Sequence, residues 1–420
     1  MFSRALTSAL ALLILVVLIL TWLSVNWSWS TIDDAGFALQ TRYLQREQGV
    51  FPAAVQQVKD MYGADLSWGL FRPSYWFYPP LTYSMPISMS HLLRLLMFAL
   101  AVLGPLVAIR RRGVSWPGIW IAGFLLVSAG SLLSTGLFFV SLQELSGAAF
   151  IGLGLMFRPG WARVSLWTVA AWFKSPFSWI LIAEALVLWR AGKRAQAIVS
   201  GTLGIGTLVT AAVFARFGDY TARYGLDPWR ILTNASKLVE VWTVLVLVLV
   251  LWWVIATRTT LQFNSLSFVM LFAFAGYTAQ MLPWAVSGYY MGPIIYFLGL
   301  FLASMITTPA LLPGWQWFLA FVGPVAIAVY VLYQPLAQGF QMNTVLNQVT
   351  ECLVFTGPVD AVVTGHLDYV TTEEGVIRMA QNAQLADPSW TGTLTLADPD
   401  TSYPTDRLLC STGPIALYRA

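Results

Sequence analysis

The stretch from 5 to 25, ALTSALALLILVVLILTWLSV, carries no charged residue over its whole length. About 20 apolar residues in a helix cross the roughly 30 Å hydrocarbon core of a bilayer. Inside lipid a backbone must satisfy its own hydrogen bonds, which a helix does within a single segment. The run is longer than the apolar region of a signal peptide and no small-x-small cleavage site follows, so an uncleaved anchor is expected. Comparable runs recur near 91–109, 117–135, 197–215, 239–256, 264–283, 290–308 and 314–333. Between 147 and 190 the pattern breaks into three short pieces, 147–157, 162–173 and 177–189. Composition agrees, with 58% hydrophobic and 10% charged residues, against roughly 25% charged in soluble domains. These values exclude a disordered chain, a soluble enzyme and a disulfide-built miniprotein.

The sidedness of charge sets an orientation, because basic residues near helix ends stay in the cytoplasm. With Arg4 inside, alternating spans place Arg110–Arg112, Arg158 and Arg163, Arg190, Lys193 and Arg194, and Arg258 on the same side. No Asp or Glu falls in the cytoplasmic loops so defined. The expected fold is an all-α polytopic membrane protein of about 11 transmembrane helices, N-terminus in and C-terminus out. It divides into a transmembrane domain over 1–333, with a first outer loop at 26–90, and a small α/β extracytoplasmic domain over 334–420. The net charge of +4 says less than its distribution, and nucleic acid is not expected as a partner. Two His and two Cys are too few for a Zn or Fe–S centre, and no phosphate-cradling GxxxxGK[ST] loop is present.

The tail alternates β-type runs (CLVFTG, DAVVTG, TLTLAD) with Gly, Pro, Asp and Ser turns, around one helix-like stretch at Glu373–Gln384. Both cysteines, Cys352 and Cys410, lie there. An oxidising outer compartment would favour a disulfide between them.

Chemistry is expected on the outer face, since the cytoplasmic turns are short. Asp33 and Asp34 sit directly after the first span and before a helical pattern. The plain reading is an N-cap, with the second carboxylate in the first turn at the positive end of the helix dipole; the sharper reading is a general base at the bilayer boundary. Further on, Tyr75, Trp76 and Tyr78 belong to an aromatic run that reads either as an interfacial belt or as a platform for sugar rings. Lys174, in Phe173-Lys174-Ser175-Pro176, falls at the apex of a short helical hairpin near the outer surface. An ionisable residue at membrane depth is a functional candidate, with a lipid phosphate as its natural partner and a snorkelling lysine as the plain alternative. Arg216, Arg223 and Arg230 could hold a phosphate or simply solvate their loop. Tyr289 and Tyr290 open a late span where Gly288 and Gly292 permit close helix packing, with a lipid groove as the second reading.

Taken together, these features resemble the GT-C glycosyltransferases, multispanning enzymes that use polyprenyl-phosphate-linked sugars. The similarity covers most of 5–310 and not the tail. Its elements are the acidic pair Asp33-Asp34 followed by Arg42-Tyr43, the Phe77-Tyr78-Pro79-Pro80 segment, the broken helices bearing Phe173-Lys174-Ser175-Pro176, and Gly288-Tyr289-Tyr290. The Tyr-Pro-Pro and Lys-Ser-Pro elements look most like the polyprenol-phosphate-mannose-dependent mannosyltransferase branch. The resemblance implies a GT-C-like fold and an inverting sugar transfer in envelope glycan biosynthesis, at the outer face of a prokaryotic inner membrane. It implies that Asp33 or Asp34 is the base, with Asp33 favoured, and that Lys174 with an arginine of 216–230 holds the donor phosphate. The acceptor would be a glycan, a lipid or a protein. No cofactor is implied; a divalent cation, Mg²⁺ or Mn²⁺, stays open because carboxylate sites for such ions leave little sequence trace.

Two other classes compete. A lipid-linked-sugar transporter predicts paired broken helices in corresponding halves of the chain, and only one broken region is present. A non-catalytic subunit of an envelope assembly would use the outer tail to bind a partner and would tolerate loss of Asp33 and Asp34.

Overall fold

In the computed structural model, the residues described are 34–114, 119, 122–123, 126, 142–218, 228–238, 262–283, 288–306, 341, 344–365, 373–397, 403–412 and 415–420. The expected spans at 5–25, 239–256 and 314–333, and nearly all of that at 117–135, lie outside them. The described chain opens with two helices, α1 (Asp34–Gln48) and α2 (Val50–Trp68), followed by two short ones, α3 (Pro73–Trp76) and α4 (Tyr78–Tyr83). Pro73 sits in the first turn of α3 and Pro79 and Pro80 in that of α4, where a missing N–H costs nothing. The aromatic run is therefore cut into two helical turns.

A helical bundle follows, formed by α5 (Ile87–Arg111), α6 (Leu142–Leu155), α7 (Trp161–Phe173), α8 (Ser178–Arg190) and α9 (Arg194–Phe217). The amphipathic α10 (Pro228–Leu238) comes next, then α11 (Ser265–Met281) and α12 (Gly288–Met305). One continuous apolar core joins Phe98 of α5, Ile151 of α6, Trp167 of α7, Ile180 of α8, Tyr277 of α11 and Phe297 of α12. Several buried polar side chains are satisfied between helices. The Trp167 indole donates to the Ile151 carbonyl at 3.1 Å, and the Tyr296 hydroxyl to the Ala101 carbonyl at 2.7 Å. At the base of the hairpin, Arg163 reaches both Glu184 (3.4 Å) and the Phe157 carbonyl (2.7 Å).

Two helices, α5 with 25 residues and α9 with 24, are long and apolar enough to cross a membrane. Along α9 only 22% of the apolar window is buried within the chain. Ile198, Ile205, Val209 and Val213 lie exposed along it, an apolar stripe suited to lipid or to another apolar surface.

The expectation of an all-α protein with about 11 transmembrane helices is corrected here. Among the described residues only α5 and α9 qualify as spans. At 1.5 Å per residue, the 13 residues of α7 or of α8 reach about 20 Å, short of a roughly 30 Å core. Among the described residues α6 covers 14 residues and α11 17, and the described apolar stretch of α12 runs from Gly292 to Met305. Apolar periodicity reports burial without naming the medium, so helices packed on protein look in sequence like helices packed on lipid.

Helices α5 and α6 cross with their backbones almost in contact. A Cβ placed on Gly104 would stand 1.9 Å from the Gly152 carbonyl oxygen, and one on Gly152 would stand 2.2 Å from that of Leu100. Such small-residue crossings let two helices approach closely. Gly104→Ala is expected to cost about 1–3 kcal/mol through overpacking, read as a lowered thermal unfolding midpoint of the solubilised chain.

The C-terminal region holds α13 (344–356), β1 (Ala361–Gly365), α14 (Glu373–Ala386), β2 (Leu394–Leu396), β3 (Leu408–Ser411) and β4 (Ile415–Arg419). The strands form one sheet in the order β2-β1-β4-β3, parallel between β1 and β2 and antiparallel elsewhere. The DAVVTG and TLTLAD runs supply β1 and β2, whereas CLVFTG ends a helix. Leu346, Val349 and Leu353 repeat on one buried face of α13 at helical spacing, and this period overrides the β-branched residues between them. A disulfide joins Cys352 on α13 to Cys410 on β3.

Candidate functional site

Lys174 stands at the apex between α7 and α8. Its backbone is extended, and Pro176 follows in a 3-10 turn over Ser175–Phe177. The break places an ammonium group where a continuous helix would have pointed it elsewhere. Lys174 is buried, and its Nζ bonds the Oε1 of Glu144 in the first turn of α6. Glu144 is 1% exposed, and its second oxygen, Oε2, is buried with no hydrogen-bond partner among the described residues.

A second buried pair lies alongside. Arg72, just before α3, bonds Asp65 of α2, with Nε 3.1 Å from Oδ1 and 3.2 Å from Oδ2. The Trp76 indole donates to Asp65 Oδ2 at 2.8 Å, and the Arg72 guanidinium lies 4.8 Å over the Tyr75 ring. Burial pushes Arg72 down from its ordinary pKa, but the adjacent Asp65 carboxylate outweighs it and the net direction is up. Arg72 is within electrostatic reach of both Glu144 and Lys174. Four charges of alternating sign thus share one buried volume, with Tyr277 of α11 also close enough to feel Glu144. The Tyr277 hydroxyl is buried and has no hydrogen-bond partner among the described residues. Gln280 closes the far side, accepting from Trp179 at 3.0 Å and donating to Ser175 at 3.3 Å. Chemically this arrangement offers two cations that an incoming anion could share and a carboxylate oxygen open to a proton or a donor. Trp76→Phe removes one donor from a buried carboxylate. The expected loss is about 1.5–3 kcal/mol, seen as an earlier urea midpoint with an unchanged slope.

The aromatic run packs differently from an exposed platform. Tyr75 and Tyr78 are 4% and 3% exposed and form a second core with Ala38 of α1, Met61 of α2, Tyr83 and Phe173. Tyr78 meets Phe173 edge-on at 6.2 Å, and Phe37 stacks on Tyr83 at 5.7 Å. Trp76 is half-buried against Asp65, so of this run mainly Phe77 faces outward. The aromatic rings therefore link Phe173, next to Lys174, with Ala38 in the first turns of α1 in one cluster.

Asp34 is the first residue of α1, although its side chain lies outside the described residues, as does Asp33 altogether. Arg216 is exposed near the end of α9, in the segment that packs on the chain before Arg72 through Phe214 and Phe71, 5.3 Å apart. Arg230 lies half-buried in α10; Arg223 is outside the described residues. Tyr289 and Tyr290 fall in the first turn of α12, their side chains likewise not described. Lys174 is thus brought together with Tyr75, Trp76 and Tyr78, while Arg216 stays at the surface.

Asp65, Tyr277 and Gln280 were not singled out by sequence reasoning; Glu144 stood only within the broken stretch, in Gln143-Glu144-Leu-Ser-Gly, and Arg72 only within the aromatic run, in Phe71-Arg72-Pro73-Ser74-Tyr75. Glu144 heads the apolar Leu-Ser-Gly-Ala-Ala-Phe stretch, and an acid so placed is itself a signal of pairing. Asp65 and Tyr277 carry no comparable mark, because tertiary packing alone brings them here. Among the described residues no group of three or more His, Cys, Asp or Glu is placed to hold a metal ion. Comparison with protein-family models, curated proteins and solved structures found no match.

Proposed function

We propose that this chain is a glycosyltransferase that moves a sugar, with inversion, from a polyprenyl-phosphate donor to a glycan, lipid or protein acceptor. The observation that carries the reading is the buried apex at Lys174, where a second cation, Arg72, lies within electrostatic reach. The donor's phosphate is the leaving group, and preorganised cations in a water-poor site stabilise the charge that develops on it. The phosphate competes with Glu144 for Lys174. A carboxylate at the head of α1, Asp33 or Asp34, takes the acceptor's proton as its oxygen attacks. The first turns of α1 belong to the same aromatic core as Phe173, the neighbour of Lys174, which supports placing base and phosphate site together. This is the activity of the GT-C glycosyltransferases that the sequence resembles. The same reading puts the chain in a prokaryotic inner membrane, N-terminus in the cytoplasm and C-terminal region outside, where the Cys352–Cys410 disulfide suits an oxidising compartment.

The test is transfer from a panel of polyprenyl-phosphate sugars in purified membranes, with Asp33→Asn and Asp34→Asn beside the parent chain. Removal of the base is expected to lower turnover by about 10²–10⁴-fold in one variant, with expression and thermal unfolding unchanged. Transfer untouched in both variants would overturn the assignment of the base.

A second reading has one observation in its favour: both cations already have a carboxylate, Lys174 with Glu144 and Arg72 with Asp65. A non-catalytic subunit would use such a neutral cluster only to fasten the first outer segment onto the hairpin. It predicts that removing the charges in matched pairs leaves every function of the chain intact.

A further inference from the structure

A groove of about 520 Å³ runs between α1 and the C-terminal region, apart from the Lys174 apex. Gln40, Arg42, Tyr43 and Arg46 of α1 form one wall, with Gln384 and Trp390 on the other. The volume falls within the roughly 300–1,000 Å³ of small-molecule sites. Among the described residues none that lines it is acidic.

Arg42 and Arg46 are one helical turn apart, so both guanidinium groups border the same opening. Burial pushes Arg42 below its ordinary pKa, and the like charge of Arg46 adds to the shift. Arg42 spends one donor on the Leu385 carbonyl at 3.3 Å, bridging the two walls. The Glu47 carboxylate beside Arg46 is engaged by the Tyr43 hydroxyl, and an anion in the groove would offset the like charges of Arg42 and Arg46. Trp390 adds a second and independent sign of a ligand. It is 1% exposed, and its indole Nε1 is buried with no hydrogen-bond partner among the described residues. A buried donor left unmatched costs about 1–3 kcal/mol, which a ligand hydroxyl accepting from it would recover.

Carboxamides, a phenol and an indole are the groups that bind sugar hydroxyls and cover sugar faces, and paired guanidinium groups take a carboxylate or phosphate. We propose that the groove between α1 and the C-terminal region binds an acidic saccharide, a sugar bearing a carboxylate or a phosphate, with Arg42 and Arg46 on the acid, and with Gln384 and the Trp390 Nε1 on the hydroxyls. This binding stands whether or not the Lys174 apex transfers sugar.

Titration calorimetry on the full solubilised chain tests it, with glucuronic acid, glucose 1-phosphate, glucose and inorganic phosphate as probes. Glucuronic acid or glucose 1-phosphate is expected to bind at least tenfold more tightly than glucose and than inorganic phosphate. Arg46→Gln, at an exposed position, is expected to weaken that binding about tenfold, the equivalent of one charge-assisted hydrogen bond, with unchanged thermal unfolding. Gln384→Ala is expected to weaken the sugar-bearing probes and leave inorganic phosphate unaffected. Equal binding of glucose 1-phosphate and inorganic phosphate overturns the saccharide, reducing the groove to a simple anion site. Equal binding of glucose and glucuronic acid overturns the acidic requirement. Absence of binding by all four probes at millimolar concentration, or binding indifferent to both substitutions, overturns the site.

Discussion

Lys174→Met alone is expected to destabilise the chain by about 3–5 kcal/mol, because it leaves Glu144 buried and charged without its partner. Glu144→Gln alone should be comparably harmful, stranding the ammonium group. The double variant, Lys174→Met with Glu144→Gln, should regain most of the loss, since replacing both members of a buried ion pair by neutral groups of similar volume is often close to neutral. Thermal unfolding of the four proteins in one detergent measures the cycle, and additive losses would show that the pair does not act as a unit. The same double variant separates the two readings of the site. An enzyme whose donor phosphate rests on Lys174 folds again and still fails to transfer sugar. A structural cluster recovers stability and function together.

Loss of the Cys352–Cys410 disulfide is the second large effect. The two residues are 58 apart in sequence, and a cross-link closing a loop of that size contributes about 4 kcal/mol on the chain-entropy account. Paired replacement by Ser should therefore loosen the packing of α13 on the sheet while the α5–α9 bundle stays folded. Protease digestion of the two forms, with and without reductant, reads the difference as faster cleavage confined to the C-terminal region. Equal digestion of both would mean that the sheet is held by its apolar core, around Val363, Leu417 and Trp390, without help from the cross-link.

The helices themselves were largely legible in the sequence. The broken stretch from 147 to 190 announces short helices, because Pro159 with Gly160, and Pro176, interrupt the apolar pattern where α6, α7 and α8 meet. Lys174 stands out for the same reason, as a lone cation between two apolar segments. The medium around those helices was not legible. A 13-residue helix buried by its neighbours and a longer one facing lipid share one hydropathy, and only length and packing in space separate α7 from α9. The aromatic run was visible as a run. Its burial against Met61 and Phe173 depends on α2 and α7 arriving at the same place, which no local pattern records.

Sequence by itself determined the apolar character of the chain, the helical break that lifts Lys174 to an apex, and the acidic residue, Asp34, that opens α1. These are local properties, written in periodicity and in the backbone limits of proline and glycine. Tertiary structure alone decided that Glu144 and Arg72 approach Lys174 and that Asp65 neutralises Arg72. It also decided that α1 faces the C-terminal region across a groove bordered by arginines. Long-range pairs of this kind follow from how whole helices pack, and each charge finds its partner only after burial has made an unpaired one too costly to keep.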